Sequence, residues 1–383
     1  MTKLQNRVLT GVFLAMIFGC AGGSLLKRDI SFSEKENRIL AQMPELNLKD
    51  ILSGTFEKNY ETYLSDQFFW RDGWIGVKTE AERAEGKTEI NGVYFAKDGY
   101  LIEKHSGSFD TDTAKNNITY LCNFLQSQEQ KVGTGHVKAM IVPNAVEILK
   151  DKLPAYAVAE EEGAYLNEIR TQIPEDLLFD AEPVLDAHKE EPIYYKTDHH
   201  WKTLAARYVY EAWAESIDLP IVPLSEYREK TLTTDFHGTI DAKVNIDVPG
   251  DSIESYQPVT EIPYTLTYNH SEERASLYDT SYLEGRDKYA VFFGGNQPLI
   301  EAKTEAKTDR KLLIIKDSYA NCFLSFAMQD FSQIDIVDLR YFNENLGDYM
   351  KDKDYTDICV LYNAAGFAED TSVAKLALAT DQQ

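Results

Sequence analysis

The stretch KLLIIKDSYANCFLSFAM, residues 311–328, joins a short apolar segment to a helical pattern through one polar turn. Leu312–Ile315 is a run of four consecutive apolar residues, typical of a buried strand, and the polar residues 316–318 follow it directly. When a strand ends in a turn that leads into a helix, the turn lies at the carboxyl edge of the sheet, which places Ser318 there. The backbone N–H groups beside it can stabilise a developing negative charge. Ser318 is therefore a candidate nucleophile, although it or Asp317 could equally be an ordinary N-cap.

Similar compact apolar runs recur along the chain, most of them separated by stretches long enough for a helix. They are HVKAMIVP (136–143), DLLFDAEPVLD (176–186), YAVFFGG (289–295), QIDIVDL (333–339) and DICVLYN (357–363). Short strands that alternate with helices predict an α/β fold with a mainly parallel sheet covered on both faces. In such sheets the chemistry lies at the carboxyl ends of the strands. NGVYFAKDGYLIE (91–103) predicts two short strands around a turn. Residues 214–288 lack this alternation of strands and helices and are interpreted as an insertion or irregular segment.

Charge and cysteine content narrow the functional class. The chain has 383 residues, with 39 basic and 63 acidic residues and a formal charge of -24. A surface this acidic repels phosphate backbones, so we expect no nucleic-acid partner. Cys122, Cys322 and Cys359 each lie among apolar or aromatic residues, which indicates buried thiols rather than a disulfide framework or a zinc site.

The N-terminus predicts a membrane or export segment. The apolar run Val8–Leu26 lies between two pairs of basic residues, which is typical of a Sec-type signal or a single membrane anchor. Ile17–Cys20 resembles a bacterial lipobox, although Phe18 departs from that pattern. Cleavage, lipidation at Cys20 and retention as an anchor therefore stay open for residues 1–28.

Two further regions follow this segment. Residues 29–49 are polar, contain a proline and predict a tether. Residues 50–86 carry apolar side chains at helical spacing and predict a helix pair packed on the main domain, since their many acidic residues disfavour a membrane-surface helix. We assign residues 29–90 to this tether and helical region, and residues 91–383 to the α/β catalytic domain.

The sequence TDHHW, residues 197–201, supplies an acid and a base. Thr197 or Asp198 is predicted to cap a following helix, which places Asp198 and His200 in its entry turn. There Asp198 can accept a hydrogen bond from His200 and fix its tautomer, so that the other ring nitrogen can serve as a general base toward Ser318. His199 is interpreted as a neighbour that faces the other way, and Trp201 as core packing.

A metal site is the alternative interpretation of the same stretch. It needs three or four ligands, and adjacent histidines rarely bind one ion, so His237 and Asp251 would have to complete it. Asp-His-His is also a signature of manganese-dependent phosphoesterases, whose second motif could only be DTD at 110–112, after a polar stretch. We expect a serine site without a metal or another cofactor.

Four more residues are candidates for the oxyanion or for substrate binding. Gly295 and Asn296 end the run YAVFFGG, where glycine allows close backbone approach and an asparagine amide can donate to an oxyanion. Tyr319 lies beside the candidate nucleophile. Arg340 closes the run QIDIVDL and could orient a substrate or pair with a surface acid.

These stretches resemble the bacterial DHHW protein family and, through it, the alginate O-acetyltransferases, which have an SGNH-hydrolase-like fold. The resemblance covers most of the chain. It includes FSEKENRIL, FEKNYETYLSDQFFWRDGW, NGVYFAKDGYLIE, IVPNAVEILKDKLPAY, DHHW, FHGTIDAKV, FFGGN and KDSYANCF. Carried onto this chain, the acetyltransferase motifs imply Asp198 and His200 as acid and base and Ser318 as nucleophile. The serine block reads Lys-Asp-Ser-Tyr rather than the Gly-Asp-Ser of SGNH hydrolases, and we find no separate carbohydrate-binding module.

The resemblance implies an extracytoplasmic enzyme of the bacterial cell envelope, either secreted or held in the membrane by its N-terminus. It would transfer an acyl group, in the simplest case acetyl, from Ser318 to a polysaccharide hydroxyl. The donor would be supplied by a membrane-bound O-acyltransferase partner. A carbohydrate esterase acting through the same serine, or a non-catalytic envelope scaffold or glycan-binding protein, remain the alternatives.

Overall fold

The protein, described by a computed structural model over residues 2–33 and 38–380, forms two compact units. The first comprises the chain up to Ile90 together with Ala242–Asp247, and the second comprises Asn91–Asp241 and the chain from Val248. Residues 34–37, which fall within the predicted tether and the FSEKENRIL motif, and residues 381–383 lie outside the described part.

The first unit is mainly helical. Its elements are α1 (Lys3–Leu26), β1 (Phe32–Ser33), β2 (Arg38–Ile39), α2 (Leu48–Ser53), α3 (Thr55–Asp66), α4 (Arg71–Ala84) and β3 (Glu89–Ile90). In the described part of the chain, α1 is the one helix long and apolar enough to cross a membrane, with a mean hydropathy of 1.9 and no buried residue. It fits a signal anchor or a membrane segment. The helical spacing of residues 50–86 corresponds to α3 and α4, with α2 preceding them.

The second unit holds the sheet predicted from the apolar runs. Its elements are β4 (Val93–Phe95), β5 (Leu101–Glu103), α5 (Asp112–Val132), β6 (Val137–Val142), α6 (Ala145–Ile148), α7 (Glu160–Gln172), α8 (Glu182–Ala187), α9 (Thr203–Ser216), β7 (Tyr227–Phe236), α10 (Thr239–Val244, which runs into the first unit), β8 (Asp251–Pro258), β9 (Tyr264–Tyr268), β10 (Glu272–Arg274), β11 (Leu299–Thr304), β12 (Lys311–Lys316), α11 (Ala320–Ala327), β13 (Gln333–Val337), α12 (Leu346–Met350), β14 (Asp357–Asn363) and α13 (Ala364–Glu369).

The main sheet has seven strands in the order β10-β9-β11-β13-β12-β14-β6. The pairs from β13 to β6 are parallel, whereas the pairs from β10 to β13 are antiparallel. The fold is therefore a mixed α/β fold, and the expectation of a mainly parallel sheet is not confirmed. The reason is visible at β9 and β10, because a three-residue turn such as 269–271 can join only antiparallel strands.

Side chains of β12 alternate between two hydrophobic cores. Leu312 and Ile314 pack in one core with residues of α9 and α11, and Leu313 and Ile315 pack in the other with residues of α5 and α13. Because both faces are covered, the strand reads as a continuous apolar run rather than an alternating one. Ser318 follows closely after the carboxyl end of β12. This end lies next to the end of β14, which pairs with β6 on its other side.

Four of the predicted runs contain a strand of this sheet, and two others do not. Residues 176–186 form only one bridge, at Leu178, before the short helix α8 begins at Glu182 with Pro183 in its first turn. Residues 289–295 form a helical turn over Lys288–Val291 and then a glycine turn. The segment 214–288, interpreted as an insertion or irregular segment, contains the antiparallel pair β7 and β8 and the strands β9 and β10 at one end of the main sheet. Residues 91–103 form β4 and β5 as predicted.

Candidate active site

Ser318 lies in the turn between β12 and α11, at the carboxyl end of the parallel part of the sheet. Asp317 fixes this turn, because its Oδ1 accepts the backbone N–H of Tyr319 at 2.9 Å and its Oδ2 accepts that of Asn363 at 2.8 Å. The N-cap of α11 is Tyr319, and no side chain caps it. Asp317 nevertheless makes a cap-type bond one turn earlier, through the N–H of Tyr319, whereas the Ser318 hydroxyl caps nothing and bonds to His200. In the described part of the chain the backbone N–H of Ser318 meets no acceptor.

Ser318, His200 and Asp198 form one chain of hydrogen bonds. The Nε2 atom of His200 lies 2.8 Å from the Oγ atom of Ser318, and its Nδ1 atom lies 2.5 Å from Oδ1 of Asp198. Asp198 and His200 are buried, whereas Ser318 is half-buried. The three residues that the sequence singled out are thus brought together by the fold, with the hydroxyl on the accessible side.

The loop that carries Asp198 and His200 is a tight turn and not the start of a helix. α9 begins only at Thr203, with Lys202 as its N-cap, so the predicted capping by Thr197 or Asp198 is wrong. Asp198 approaches His200 because its Oδ1 also accepts the backbone N–H of His200, at 3.0 Å. This local hydrogen bond is an Asx-type turn, in which the side chain replaces a backbone acceptor.

Trp201 connects this loop to the serine turn. Its side chain is completely buried, in agreement with the predicted core role, and its Nε1–H donates to the carbonyl of Tyr319 at 2.9 Å. Tyr319 is also completely buried, and its hydroxyl donates to the carbonyl of His199 at 2.5 Å. Tyr319 therefore braces the two loops. The expectation that it contacts substrate or an oxyanion is wrong, because its ring is inaccessible and its N–H is bound to Asp317.

A second loop holds the carboxylate of Asp198. Its Oδ2 accepts the backbone N–H of Thr239 at 2.9 Å and the hydroxyl of Thr239 at 3.2 Å. Gly238 permits this approach, because a Cβ at that position would lie 2.2 Å from the Cβ of Asp198. Neither residue was given a role from the sequence, and the glycine within FHGTI (236–240) was the available signal.

Charge and hydrogen bonds keep Asp198 ionised. Burial raises the pKa of the Asp198 carboxyl, but the two neighbouring imidazoles and the bonds from His200 and Thr239 outweigh burial and hold that pKa below its usual range. Burial, together with the neighbouring His200, lowers the pKa of His199 to about 4, although Asp198 opposes this change. At neutral pH the loop therefore carries an anionic Asp198 and an uncharged His199.

The imidazole of His200 lies between two other rings. Tyr289 stacks on one side at 3.8 Å and 18°, and His199 packs on the other at 3.9 Å and 35°. The Tyr289 hydroxyl also donates to the carbonyl of Ser318 at 3.3 Å. His199 was expected to face away, which is wrong: its ring covers His200, and its Nδ1 lies 2.9 Å from the Thr239 hydroxyl. Tyr289 was missed because its run was predicted to be a strand.

The remaining candidates lie beside the serine turn without touching the Ser318 hydroxyl in the described part of the chain. Asn296 follows Gly295, whose φ is +83°, and the Oδ1 of Asn296 accepts Lys316 Nζ at 3.2 Å. Arg340 is bound to Asp338 through Nε at 2.8 Å and Nη2 at 2.6 Å. Asn296 thus keeps its amide N–H groups unpaired within the described chain, and Arg340 is an ion-pair partner.

Two asparagines extend the site to the neighbouring parallel strands. Asn144 follows β6 and donates to the Tyr319 hydroxyl at 3.2 Å and to Oδ1 of Asn363 at 3.1 Å. Asn363 ends β14, and its amide donates to Oδ2 of Asp317 at 2.6 Å. A polar residue directly after an apolar run, as in IVPN (141–144) and VLYN (360–363), was the signal that sequence reasoning left unused.

The same loop contains atoms that could bind a metal ion. One donor atom from each of Asp198, His199 and His200 lies within 4.8 Å of the others. However, Oδ1 of Asp198 is bonded to His200 and its Oδ2 to Thr239, so an ion would have to replace these bonds. Of the DTD motif, Asp110 pairs with Lys115 and Asp112 begins α5. The arrangement fits proton transfer from a serine hydroxyl better than metal ligation.

The chain matches a known protein family. The family model described as DHHW protein matches residues 108–337, a range that includes both the Asp198–Trp201 loop and Ser318. None of the curated proteins gives a significant match.

Three solved structures are similar to this chain to different degrees. A DHHW family protein from Eubacterium siraeum is 27% identical and covers 75% of this chain and 95% of its own, with a TM-score of 0.59. Bacillus cereus PatB1 with a sulfonyl adduct is 19% identical and covers 74% of this chain and 99% of its own, also with a TM-score of 0.59. The O-acetyltransferase domain of Pseudomonas putida AlgJ is 12% identical and covers 73% and 93%, with a TM-score of 0.46.

Proposed function

Because this chain belongs to the DHHW protein family, we propose that it is an extracytoplasmic enzyme that transfers an acyl group to a hydroxyl of a cell-envelope polysaccharide. The acyl group is acetyl in the simplest case, and Ser318 carries it as an ester. The observation that carries the proposal is the continuous contact from Asp198 through His200 to Ser318, at 2.5 Å and 2.8 Å. Such a relay converts a weakly reactive hydroxyl into a nucleophile.

In the first half-reaction Ser318 attacks the carbonyl carbon of the acyl donor. His200 accepts the hydroxyl proton at Nε2, and Asp198 stabilises the resulting imidazolium through Nδ1. The negative charge on the carbonyl oxygen meets the unpaired backbone N–H of Ser318 and the amide of Asn296. Collapse of the tetrahedral intermediate breaks the bond to the leaving group, which takes the proton from His200.

The second half-reaction reverses these roles. A sugar hydroxyl gives its proton to His200 and attacks the Ser318 ester, and the proton then returns to the serine as the acylated sugar leaves. Water in place of the sugar would make the protein an esterase by the same chemistry. Ser318 is half-buried, so the acceptor reaches it from one open side.

The N-terminal helix α1 supports an extracytoplasmic location with the enzyme held at the membrane. We place the donor in the same membrane, delivered by a membrane-bound O-acyltransferase, and assign the α/β unit an SGNH-hydrolase-like catalytic role. In this proposal residues 1–28 form the membrane segment, residues 29–90 the membrane-proximal region and residues 91–383 the catalytic domain. No cofactor or metal ion takes part.

Acylation of Ser318 tests the proposal directly. The full chain is incubated with p-nitrophenyl acetate, and the adduct is located by intact-mass and peptide mass spectrometry. We expect one acetyl group on the peptide that contains Ser318, no adduct in Ser318→Ala, and an acylation rate lowered on the order of a thousandfold or more in His200→Ala. Asn296→Ala should slow acylation on the order of a hundredfold if its amide meets the oxyanion.

Added acceptor separates transfer from hydrolysis. With short neutral oligosaccharides present, a transferase yields acetylated sugar at the expense of free acetate, whereas an esterase yields acetate alone. An adduct that forms equally in Ser318→Ala, or folded protein that forms none, would refute the acyl-enzyme and favour the scaffold. Activity abolished by a chelator and restored by manganese would favour the metal site instead.

A further inference from the structure

The first unit exposes three consecutive aromatic residues in the turn between α3 and α4. The side chains of Phe68, Phe69 and Trp70 are 40%, 42% and 59% exposed. Single exposed apolar residues are ordinary, but three adjacent aromatic rings form a patch whose burial is favourable. We call Phe68–Trp70 the aromatic turn.

The aromatic turn packs directly against the carboxyl end of α1. The backbone N–H of Phe69 donates to the hydroxyl of Ser24 at 3.1 Å. A Cβ at Gly23 would lie 2.7 Å from the ring of Phe69, so glycine gives the ring its place against the helix. The last two residues of α1, Leu25 and Leu26, are largely exposed. The turn therefore lies level with the end of the apolar helix.

Hydrogen bonds hold the chain to α3 immediately after it leaves α1. The backbone N–H of Ile30 donates to Oε1 of Gln67 at 3.1 Å, and Nε2 of Gln67 donates to the carbonyl of Ile30 at 2.8 Å. The Tyr63 hydroxyl donates to Asp29 at 3.0 Å. This part of the predicted tether is thus not a free linker, and the aromatic turn cannot move far from the end of α1.

The backbone of the aromatic turn is strained at its tryptophan. Trp70 has a φ of +53°, a left-handed conformation that costs about 1 kcal/mol or more in a residue other than glycine. Its ring contacts Trp74 edge-on at 5.7 Å but stays mostly exposed. One side of the ring also lies over Gly73, where a Cβ would come within 2.1 Å of it. The ring is thus fixed against α4 on one side, while most of its surface stays open to a partner.

We propose that the aromatic turn lies in the interfacial layer of the membrane crossed by α1, with Trp70 at the level of the lipid headgroups. Tryptophan is enriched at that depth because its ring is apolar and its N–H is polar. Lys27 and Arg28, which follow α1 directly, reach the same layer. The net charge of -24 favours a largely zwitterionic surface over a strongly anionic one. This surface is independent of the serine site.

Quenching of tryptophan fluorescence by brominated lipid tests the contact. The full chain is reconstituted into phosphatidylcholine vesicles whose acyl chains carry bromine either near the headgroups or near the bilayer centre. We expect quenching that is stronger with the shallow label, and loss of most of that quenching in Trp70→Phe. Trp201 and Trp213 are buried and serve as the unquenched background. The fourth tryptophan, Trp74, is half-buried and contacts Trp70, so every protein compared carries Trp74→Phe. Phe69→Ser should shift the remaining Trp70 emission to the red.

Flotation of the vesicles and the acylation assay are measured on the same proteins, so that each result of the quenching experiment can be interpreted. Tyr156→Ala removes a fully exposed aromatic residue of the second unit and should leave the quenching unchanged. Protein that floats with the vesicles while Trp70 is not quenched would overturn the proposal. So would quenching that is equal in Trp70→Phe, or a concentration-dependent dimer that shields Trp70 from lipid. Loss of quenching with normal acylation would leave the proposed function intact.

Discussion

The ring of Tyr289 stacks on the imidazole of His200 at 3.8 Å and 18°, and its hydroxyl donates to the carbonyl of Ser318. One side chain therefore contacts both His200, the proposed base, and Ser318, the proposed nucleophile. The stacking holds the plane of the imidazole, and the bond to the carbonyl holds the serine turn, so Tyr289 positions the two residues relative to each other.

Replacement of Tyr289 separates these two contacts. We expect Tyr289→Leu to lower the acylation rate up to about tenfold, since an aromatic contact contributes about 0.5–1.5 kcal/mol. Tyr289→Phe keeps the ring and should cost less. Rates of p-nitrophenol release, measured on folded protein, distinguish the variants. Equal losses in both would show that the hydroxyl rather than the stacking matters.

Gly238 allows the loop that contains Thr239 to reach Asp198, so a methyl group at position 238 should displace the Asp198 carboxylate. Gly238→Ala is expected to reduce acylation at least about tenfold and to lower the free energy of unfolding by about 1–3 kcal/mol, the usual cost of overpacking. Gly285→Ala is the matched control, because its Cβ would meet no atom closer than 3.6 Å. Acylation rate and thermal denaturation give both quantities. An active Gly238→Ala protein would contradict the proposed support of Asp198.

Asp317 ties the serine turn to the end of β14. Asp317→Ala leaves the N–H groups of Tyr319 and Asn363 without their acceptor, at a cost of about 1–3 kcal/mol each if they stay buried. We expect lower thermal stability and slower acylation. Asp317→Asn, which keeps one acceptor oxygen, should lie between this variant and the wild type. Denaturation and acylation assays on both variants test the order.

The buried carboxyl of Glu162 should make the free energy of unfolding depend on pH. Burial raises the pKa of its carboxyl to about 8, although the bond from the N–H of Asn144 opposes this change. Because the folded-state pKa lies above the unfolded one, the folded protein holds this proton more tightly, and its stabilising effect is lost as pH rises from about 4.5 toward 8.

Unfolding by urea at about pH 5 and about pH 8 measures the effect. We expect Glu162→Gln to reduce the loss of stability between these conditions by a few kcal/mol, as an order of magnitude for a fully buried carboxyl. Glu168→Gln on the same helix is the control and should behave as the wild type. A steep pH dependence that survives in Glu162→Gln would assign it to other groups.

The parts of this site that depend on residues close together in the chain could be predicted from the sequence. Ser318 was identified because a strand, a turn and a helix follow one another within residues 311–328, and Asp198 and His200 because they stand two positions apart. The resemblance to the DHHW family is confirmed. The catalytic roles of these residues stay predictions.

The missed parts depend on contacts that are distant in sequence. Thr239 lies 41 positions from Asp198, and Tyr289 lies 29 positions from Ser318, so no local pattern marks their approach. The strands β9 and β10 were missed because their exposed residues interrupt the apolar run that marks a central strand. The entry of α9 was misplaced because an aspartate that forms an Asx turn has the same sequence signal as an N-cap.

The bond from Trp201 to the carbonyl of Tyr319 joins two loops 118 residues apart. Neither loop holds this hydrogen-bonded pair in place alone, because His200 belongs to one loop and Ser318 to the other. In the unfolded chain this serine is as inert as any free alcohol. Under the proposed function, Ser318 therefore gains its reactivity only from the folded arrangement of both loops, and a chain that has not folded cannot be acylated there.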